Sequence, residues 1–243
     1  MSMERLDKLL ASTGRWSRSE VKRLVREGRV LADGRIAASA EEKYDADRVS
    51  LTVDGEAVRL RRYVYVMLHK PAGVLSATED GRGKTVLDLL PQEYQKRGLF
   101  PVGRLDKDTE GLLLLTDDGA LAHDLLSPKK HVDKLYLARV EGILNAADRA
   151  AFEAGMTLGD GLRCLPAGLE IVAPDEALVT LREGKFHQIK RMFAARGKPV
   201  VYLKRLAMGP LTLDEALAPG EWRELTDAEE KMLKLAICPT KNR

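Results

Sequence analysis

The run Leu112–Leu115 constrains the fold more than any other stretch of this 243-residue chain. Four successive leucines carry neither a helical nor an alternating period, and turn residues bound them. That pattern reads as a strand buried on both faces, with sheet neighbours and cover on each side. Yet the run sits inside GRLDKDTEGLLLLTDDG (103–119), bracketed by Arg104, Asp106, Asp108, Glu110, Asp117 and Asp118. Gly103 permits a tight turn, and Arg104 and Asp106 lie two apart, so in an extended segment both point to one face. Thr116–Gly119 reads as a turn. Taken alone, the stretch is equally a charged loop leading into a core strand.

Composition places the chain among globular proteins able to bury a core, with 44% hydrophobic and 32% charged residues. No apolar run approaches the ~18–20 residues of a membrane span. The opening MSMERLDKLL has no apolar stretch after a basic segment, so no secretory signal is expected there. Cys164 and Cys238 lack metal-ligand spacing, and reduced thiols in a cytosolic protein are the expectation. His69, His123, His131 and His187 are scattered, which argues against a metal site. The net charge of +3 is unevenly placed: residues 1–62 hold 14 Lys and Arg against 11 Asp and Glu, and the remainder balances. A second excess lies at 182–205, with eight cations against Glu183 alone. Two basic patches suit an extended polyanion, although solvated faces look the same in sequence.

Leu6, Leu9 and Leu10 lie at helical spacing, with Gly14 as a stop. Ser17 and Glu20 form a capping box for a second helix that puts Val21, Leu24 and Val25 on one face. Arg18, Lys22, Arg26 and then Arg29 line the other face. Hairpins are expected at Asp33-Gly34 and Asp54-Gly55. A stripe of cations on a short helix, backed by a small core, can lie along a phosphate backbone. The segment RLDKLLASTGRWSRSEVKRLVREGRVLADGRI resembles the small RNA-binding domain named for a small-subunit ribosomal protein, covering about residues 3–59.

Residues 59–63, RLRRY, read as a linker, which divides the chain into a domain at 1–59 and another at 60–243. Strands are expected within 63–73, 135–142, 176–184 and 199–213, a short helix in TVLDLLP (85–91), and helices at 145–156 and 187–197. GRGK (81–84) lacks phosphate-loop spacing and reads as an exposed turn, and the tail ICPTKNR as frayed. The fold class is α+β: a small helix-and-hairpin domain followed by a larger one built on a mainly antiparallel mixed sheet with flanking helices.

GRLDKDTEGLLLLT closely resembles the signature of the RsuA-type pseudouridine synthases that act on ribosomal RNA. KPAGVLSAT before it, DKLYLARVEG after it and EGKFHQIKRMFAARG late in the chain fall where that family has such blocks. The likeness runs from about residue 3 to 228. The late block and LAPGEWRELT look most like the small-subunit enzyme, with large-subunit relatives next.

The resemblance implies an enzyme that detaches uracil from ribose, turns it and rejoins it through carbon five, without redox cofactor or energy source. It makes Asp106 the catalytic aspartate and Lys190 its cationic partner, where many relatives have arginine. Tyr136 matches the active-site tyrosine that stacks on the base, and Ile189 completes an apolar wall. Arg104 matches an arginine associated with displacing the base from its stack. Arg191, beside Lys190, and Arg18, Lys22 and Arg26 are further candidate RNA contacts. Asp108, Glu110, Asp117 and Asp118 read as loop and turn formers, and His187 as close enough to the motif to touch RNA. The implied partner is ribosomal RNA, and a monomer is expected because one chain already supplies both the RNA-binding module and the cleft. A ribosome-assembly RNA-binding protein without chemistry is the rival reading, and the intact Arg104, Asp106, Tyr136 and Lys190 weigh against it.

Overall fold

The computed structural model describes residues 3–127, 130 and 132–237. His131, Cys238 and the tail after Ile237 lie outside them. The chain divides into two compact units. One runs to Val64 and also takes Leu90–Leu99; the other comprises Tyr65–Leu89 and everything from Phe100 onward. A boundary at 59/60 does not anticipate the excursion of 90–99 into the first unit.

The first unit contains β1 (Met3–Arg5), α1 (Leu6–Ala11), α2 (Arg18–Arg26), β2 (Val30–Ala32), β3 (Arg35–Ile36), β4 (Lys43–Asp45), β5 (Leu51–Val53), β6 (Glu56–Val58) and α3 (Gln92–Arg97). The capping box forms as its residues dictate: Ser17 N–H donates to Glu20 Oε2 (2.7 Å) and Glu20 N–H to Ser17 Oγ (3.3 Å). Val21, Leu24 and Val25 are buried against Leu6, Leu9 and Leu10 of α1. Asp33-Gly34 and Asp54-Gly55 both take positive φ at both positions, the geometry that closes a two-residue hairpin. The resulting sheet has the order β3-β2-β5-β6, and β1 pairs with β4. Gly14 does more than stop α1. Its φ is +78°, and a β-carbon there would fall 2.0 Å from the Glu93 carbonyl oxygen. Arg97 donates to the carbonyls of Ser12 (2.9 Å) and Arg61 (2.7 Å), which ties α3 into this unit.

The second unit is built on one nine-stranded sheet. Its elements are β7 (Tyr65–Lys70), β8 (Phe100–Pro101), β9 (Glu110–Thr116), α4 (Gly119–Leu126), β10 (Lys134–Val140), α5 (Ala146–Ala154), β11 (Met156–Thr157), β12 (Arg163–Cys164), β13 (Gly168–Ala173), β14 (Glu176–Leu181), α6 (Gln188–Ala195), β15 (Val200–Met208), β16 (Leu211–Thr212), β17 (Trp222–Glu224) and α7 (Asp227–Ile237). The strand order is β13-β14-β10-β15-β9-β7-β17, with β16 on β15 and β8 on β9; β11 and β12 pair separately. Only the β15/β9 pair is parallel among these strands. The leucine run lies where its composition requires, near the middle of the sheet, with Leu112–Leu115 no more than 1% exposed. Each such side chain contributes roughly 1.5–3 kcal/mol relative to exposure.

Gly111, the second residue of that strand, has φ +105°, and a β-carbon there would lie 2.2 Å from the Arg205 carbonyl oxygen. Glycine is what lets β9 and β15 run parallel at this point. Helix α6 packs on β15, α5 on β13, and α4 on α7. The expected turn at 116–119 is shorter than its composition suggested. Asp118 accepts from Leu121 N–H (3.1 Å) and from Tyr65 Oη–H (2.8 Å), so it caps a helix that starts at Gly119. Glu110 is no loop former either; it begins β9 and accepts a hydrogen bond from Tyr202 Oη (2.9 Å).

Candidate active site

The sheet order sets β9, β15 and β10 side by side, and the loop 103–109 delivers Asp106 at the start of β9. This loop is fastened on both sides of Asp106. Before it, Ser76 Oγ donates to the Leu105 carbonyl (2.8 Å) and accepts from Leu105 N–H (3.1 Å), while Leu105 itself is buried. After it, Gly73 N–H donates to the Lys107 carbonyl (2.7 Å). The strongest fastening is Lys70, the last residue of β7. Its fully buried ammonium donates to the carbonyls of Thr109 (2.9 Å), Pro71 (3.0 Å) and Lys107 (3.2 Å). Burial pulls its pKa down to about 8, against the opposing pull of Asp108, Asp106 and Glu110.

Asp106 is one-quarter exposed, with Lys190 Nζ 3.2 Å from Oδ2 and His187 Nε2 3.5 Å from Oδ1. His187 precedes α6 and Lys190 lies in its first turn, so that helix brings its positive end beside the carboxylate. Lys190 is shared. It also reaches Asp108 Oδ1 at 2.5 Å, and this hydrogen bond holds the Asp108 carboxyl below the usual carboxylate range. Asp108 is therefore a competitor for the cation and not merely a loop former.

Beside the carboxylate is an open cleft of about 420 Å³ when counted out to its mouth. Arg104, Asp106, Tyr136, His187 and Ile189 all line it. Tyr136, on β10 between Val179 and Arg205 of the neighbouring strands, is 8% exposed, and Ile189 is 3% exposed. A flat apolar wall thus stands next to a carboxylate, a pairing that suits a heteroaromatic ring with a reacting bond. Arg104 is exposed at the cleft and makes no hydrogen bond or ion pair among the described residues.

Other expected contacts fall elsewhere. Arg191 turns away from the cleft to Asp160 Oδ1 at 2.5 Å. The rest of the 182–205 excess is largely paired or buried: Arg182 pairs with Asp133 (2.9 Å), Lys185 with Glu183 (3.0 Å), Arg196 and Lys198 share the buried Asp148, and Arg205 is buried. That run is not an open polyanion surface. On α2 of the first unit, Arg18, Lys22 and Arg26 are exposed along one face, as their spacing required. Arg29 is not available in the same way, because Asp54 (2.6 and 2.7 Å) and Glu27 (2.9 Å) hold its guanidinium. No group of three or more His, Cys, Asp or Glu among the described residues could hold a metal ion. No helix among them is long and apolar enough to cross a membrane.

Sequence reasoning passed over Lys70 and the proximity of His187 to Asp106. The first left a trace: a lysine ending an otherwise apolar strand run is a cation pulled into the core. The second left none, because His187 takes a left-handed conformation (φ +50°) that no local pattern foretells.

The family described as RNA pseudouridylate synthase matches residues 64–195, and the S4 domain family matches residues 4–49. An "uncharacterized RNA pseudouridine synthase YtzG" of Bacillus subtilis is 51% identical, covering 94% of this chain and 98% of its own. The "ribosomal small subunit pseudouridine synthase A" of Vibrio cholerae is 41% identical over 93% and 97%. A "ribosomal large subunit pseudouridine synthase B" of Bacillus subtilis is 37% identical over 99% of each chain. A solved structure described as a pseudouridylate synthase superposes with a TM-score of 0.67 at 35% identity, covering 95% of this chain and 99% of that one. With an S4 domain ahead of a synthase domain, and relatives of this likeness along nearly its whole length, the chain belongs to the RsuA-type RNA pseudouridine synthases.

Proposed function

We propose that this enzyme converts one uridine of 16S ribosomal RNA to pseudouridine, with Asp106 as the catalytic carboxylate. The observation that carries the reading is Asp106 at the base of a cleft, with Lys190 and His187 on its two oxygens and Tyr136 and Ile189 walling the space above. In the reaction the bond from N1 to the anomeric carbon breaks and one from C5 to that carbon forms. The proton leaves C5 and N1 gains one, so atoms balance without a co-reactant. Asp106 attacks the anomeric carbon or assists departure of the base, with the Lys190 ammonium 3.2 Å from its Oδ2. Tyr136 stacks on the uracil, and its hydroxyl assists proton removal from C5. Ile189 keeps the base in plane. Arg104, free at the cleft, fills the place the extruded base leaves or holds a flanking phosphate. Arg18, Lys22 and Arg26 track the RNA backbone from the first unit.

Small-subunit RNA is favoured by the late block EGKFHQIKRMF and by the 41% identity with the protein named a small-subunit synthase. The 37% relative named for the large subunit keeps 23S RNA as the second reading. The test is tritium release from C5-labelled uridine in unmodified 16S RNA or small-subunit particles, comparing wild type with Asp106→Asn. Release by the wild type alone, with one pseudouridine mapped per RNA, supports the whole proposal. Release only from 23S RNA moves the substrate; release by both proteins removes Asp106 from its role.

A further inference from the structure

The chain has two Trp, six Tyr and four Phe, and among the described residues Phe186 is the only one of them that stands exposed, at 71%. It does not line the cleft, but its chain neighbours Lys185 and His187 do. Its ring is stacked on the imidazole of His187, with centroids 3.8 Å apart and planes 18° from parallel. His187 lines the cleft and puts Nε2 3.5 Å from Asp106 Oδ1. The turn carrying this pair is fixed. Gln188 N–H donates to the Lys185 carbonyl (3.1 Å), Lys185 N–H to Gln188 Oε1 (3.1 Å), and Gln188 Nε2 to Glu183 Oε1 (2.6 Å). His187 itself is held in the left-handed region at φ +50°, ψ +32°, which a side chain with a β-carbon adopts at some strain. The strained turn therefore keeps two parallel rings together while leaving the larger one in water.

We propose that Phe186 and His187 form a stacking platform for a nucleobase adjacent to the uridine that enters the cleft. A flat aromatic surface open to solvent beside a nucleic-acid cleft matches the one part every unpaired base offers, its π-face. The placement also explains a need of the reaction. A base cannot be extruded without leaving its neighbour unstacked, and a protein ring that takes up that neighbour recovers part of the loss. Contact of His187 with Asp106 ties the platform to the position of the reacting carboxylate. The ligand is thus single-stranded or bulged RNA, engaged by stacking and not by base-edge hydrogen bonds.

This inference rests on the uridine-modifying reading of the cleft, and two measurements separate them. The first is a cycle in KM between Phe186→Ala and RNA made abasic on the 5′ or the 3′ side of the mapped pseudouridine. Loss of a base-aromatic stack is expected to raise KM roughly 5- to 30-fold. On one of the two sides, the abasic RNA raises the wild-type KM similarly and adds nothing to the variant, and Phe186→Tyr restores the wild-type value. A KM within twofold for Phe186→Ala, or effects that multiply on both sides, overturns the platform. The second measurement needs no turnover: indole emission of a Phe186→Trp, Asp106→Asn protein, with binding of 16S RNA monitored separately by filter retention. Quenching beyond that of the Asp106→Asn protein is expected. Unaltered emission from saturated protein overturns the platform, whereas quenching without pseudouridine formation by the wild type refutes the substrate reading alone.

Discussion

Replacing Lys70 with methionine tests whether the loop of Asp106 is fixed by that buried cation. Lys70 is fully buried and has a pKa of about 8 where an exposed lysine has 10.5, so its charged form is disfavoured there by about 3 kcal/mol. Against this stand three hydrogen bonds from the ammonium to the carbonyls of Pro71, Lys107 and Thr109. Bonds to a charged donor contribute roughly 1.5–3 kcal/mol each. Methionine relieves the desolvation but leaves three carbonyls without their donor, a net loss of roughly 2–5 kcal/mol. For a chain of this size, that lowers Tm by roughly 5–15 °C.

The pH dependence has a definite sign. Because the folded-state pKa lies below the unfolded value, the unfolded chain binds more protons between pH 8 and 10.5. Wild-type stability relative to Lys70→Met therefore rises through that window, by about 3 kcal/mol at its upper end, and the gain disappears as pH falls through 8. Activity moves the other way, since a neutral amine has two hydrogens for three carbonyls and the loop of Asp106 loosens. Thermal melts and single-turnover rates across pH 7–10.5 read both trends. A stability gap between the two proteins that stays flat, or turnover by Lys70→Met equal to wild type, would refute the argument.

Three further outcomes follow from the same geometry. Lys190→Ala removes the cation 3.2 Å from Asp106 and should lower kcat by roughly 10²–10³, as loss of a preorganised electrostatic partner does, while Lys190→Arg recovers most of it; single-turnover kinetics decide. Neutralising Arg18, Lys22 and Arg26 together should reduce the slope of log Kd against log salt by about 2–3, measured by filter binding, with an unchanged slope removing α2 from the RNA surface. Gly111→Ala puts a β-carbon 2.2 Å from the Arg205 carbonyl oxygen and should cost more than about 4 kcal/mol, read as loss of soluble protein or a collapse in Tm.

What the sequence made legible and what it concealed differ in physical range. Capping at Ser17, the two hairpin turns and the strand at Leu112–Leu115 depend on neighbours within a few residues, and each appears where its local chemistry puts it. The convergence of Asp106 with Tyr136 and Ile189 was legible only through resemblance, because the cleft exists only when β9, β15 and β10 lie adjacent, and no local spacing encodes that order. Charge was misread for the same reason. The eight cations at 182–205 look like a surface in one dimension, yet four of them meet acids supplied from Asp133, Asp148 and Asp160. The charges around the leucine run yield to the converse logic. A carboxylate can sit near the core only if something holds its charge there, and the end of a central strand is the one place where neighbouring elements can bring cations to it. Lys70 comes from β7 and Lys190 from the helix packed on β15; between them they serve the backbone and the carboxylates of a loop that Ser76, Gly73 and the burial of Leu105 also fasten. The charge is pressed against the core because the core is what makes the loop rigid enough to aim Asp106.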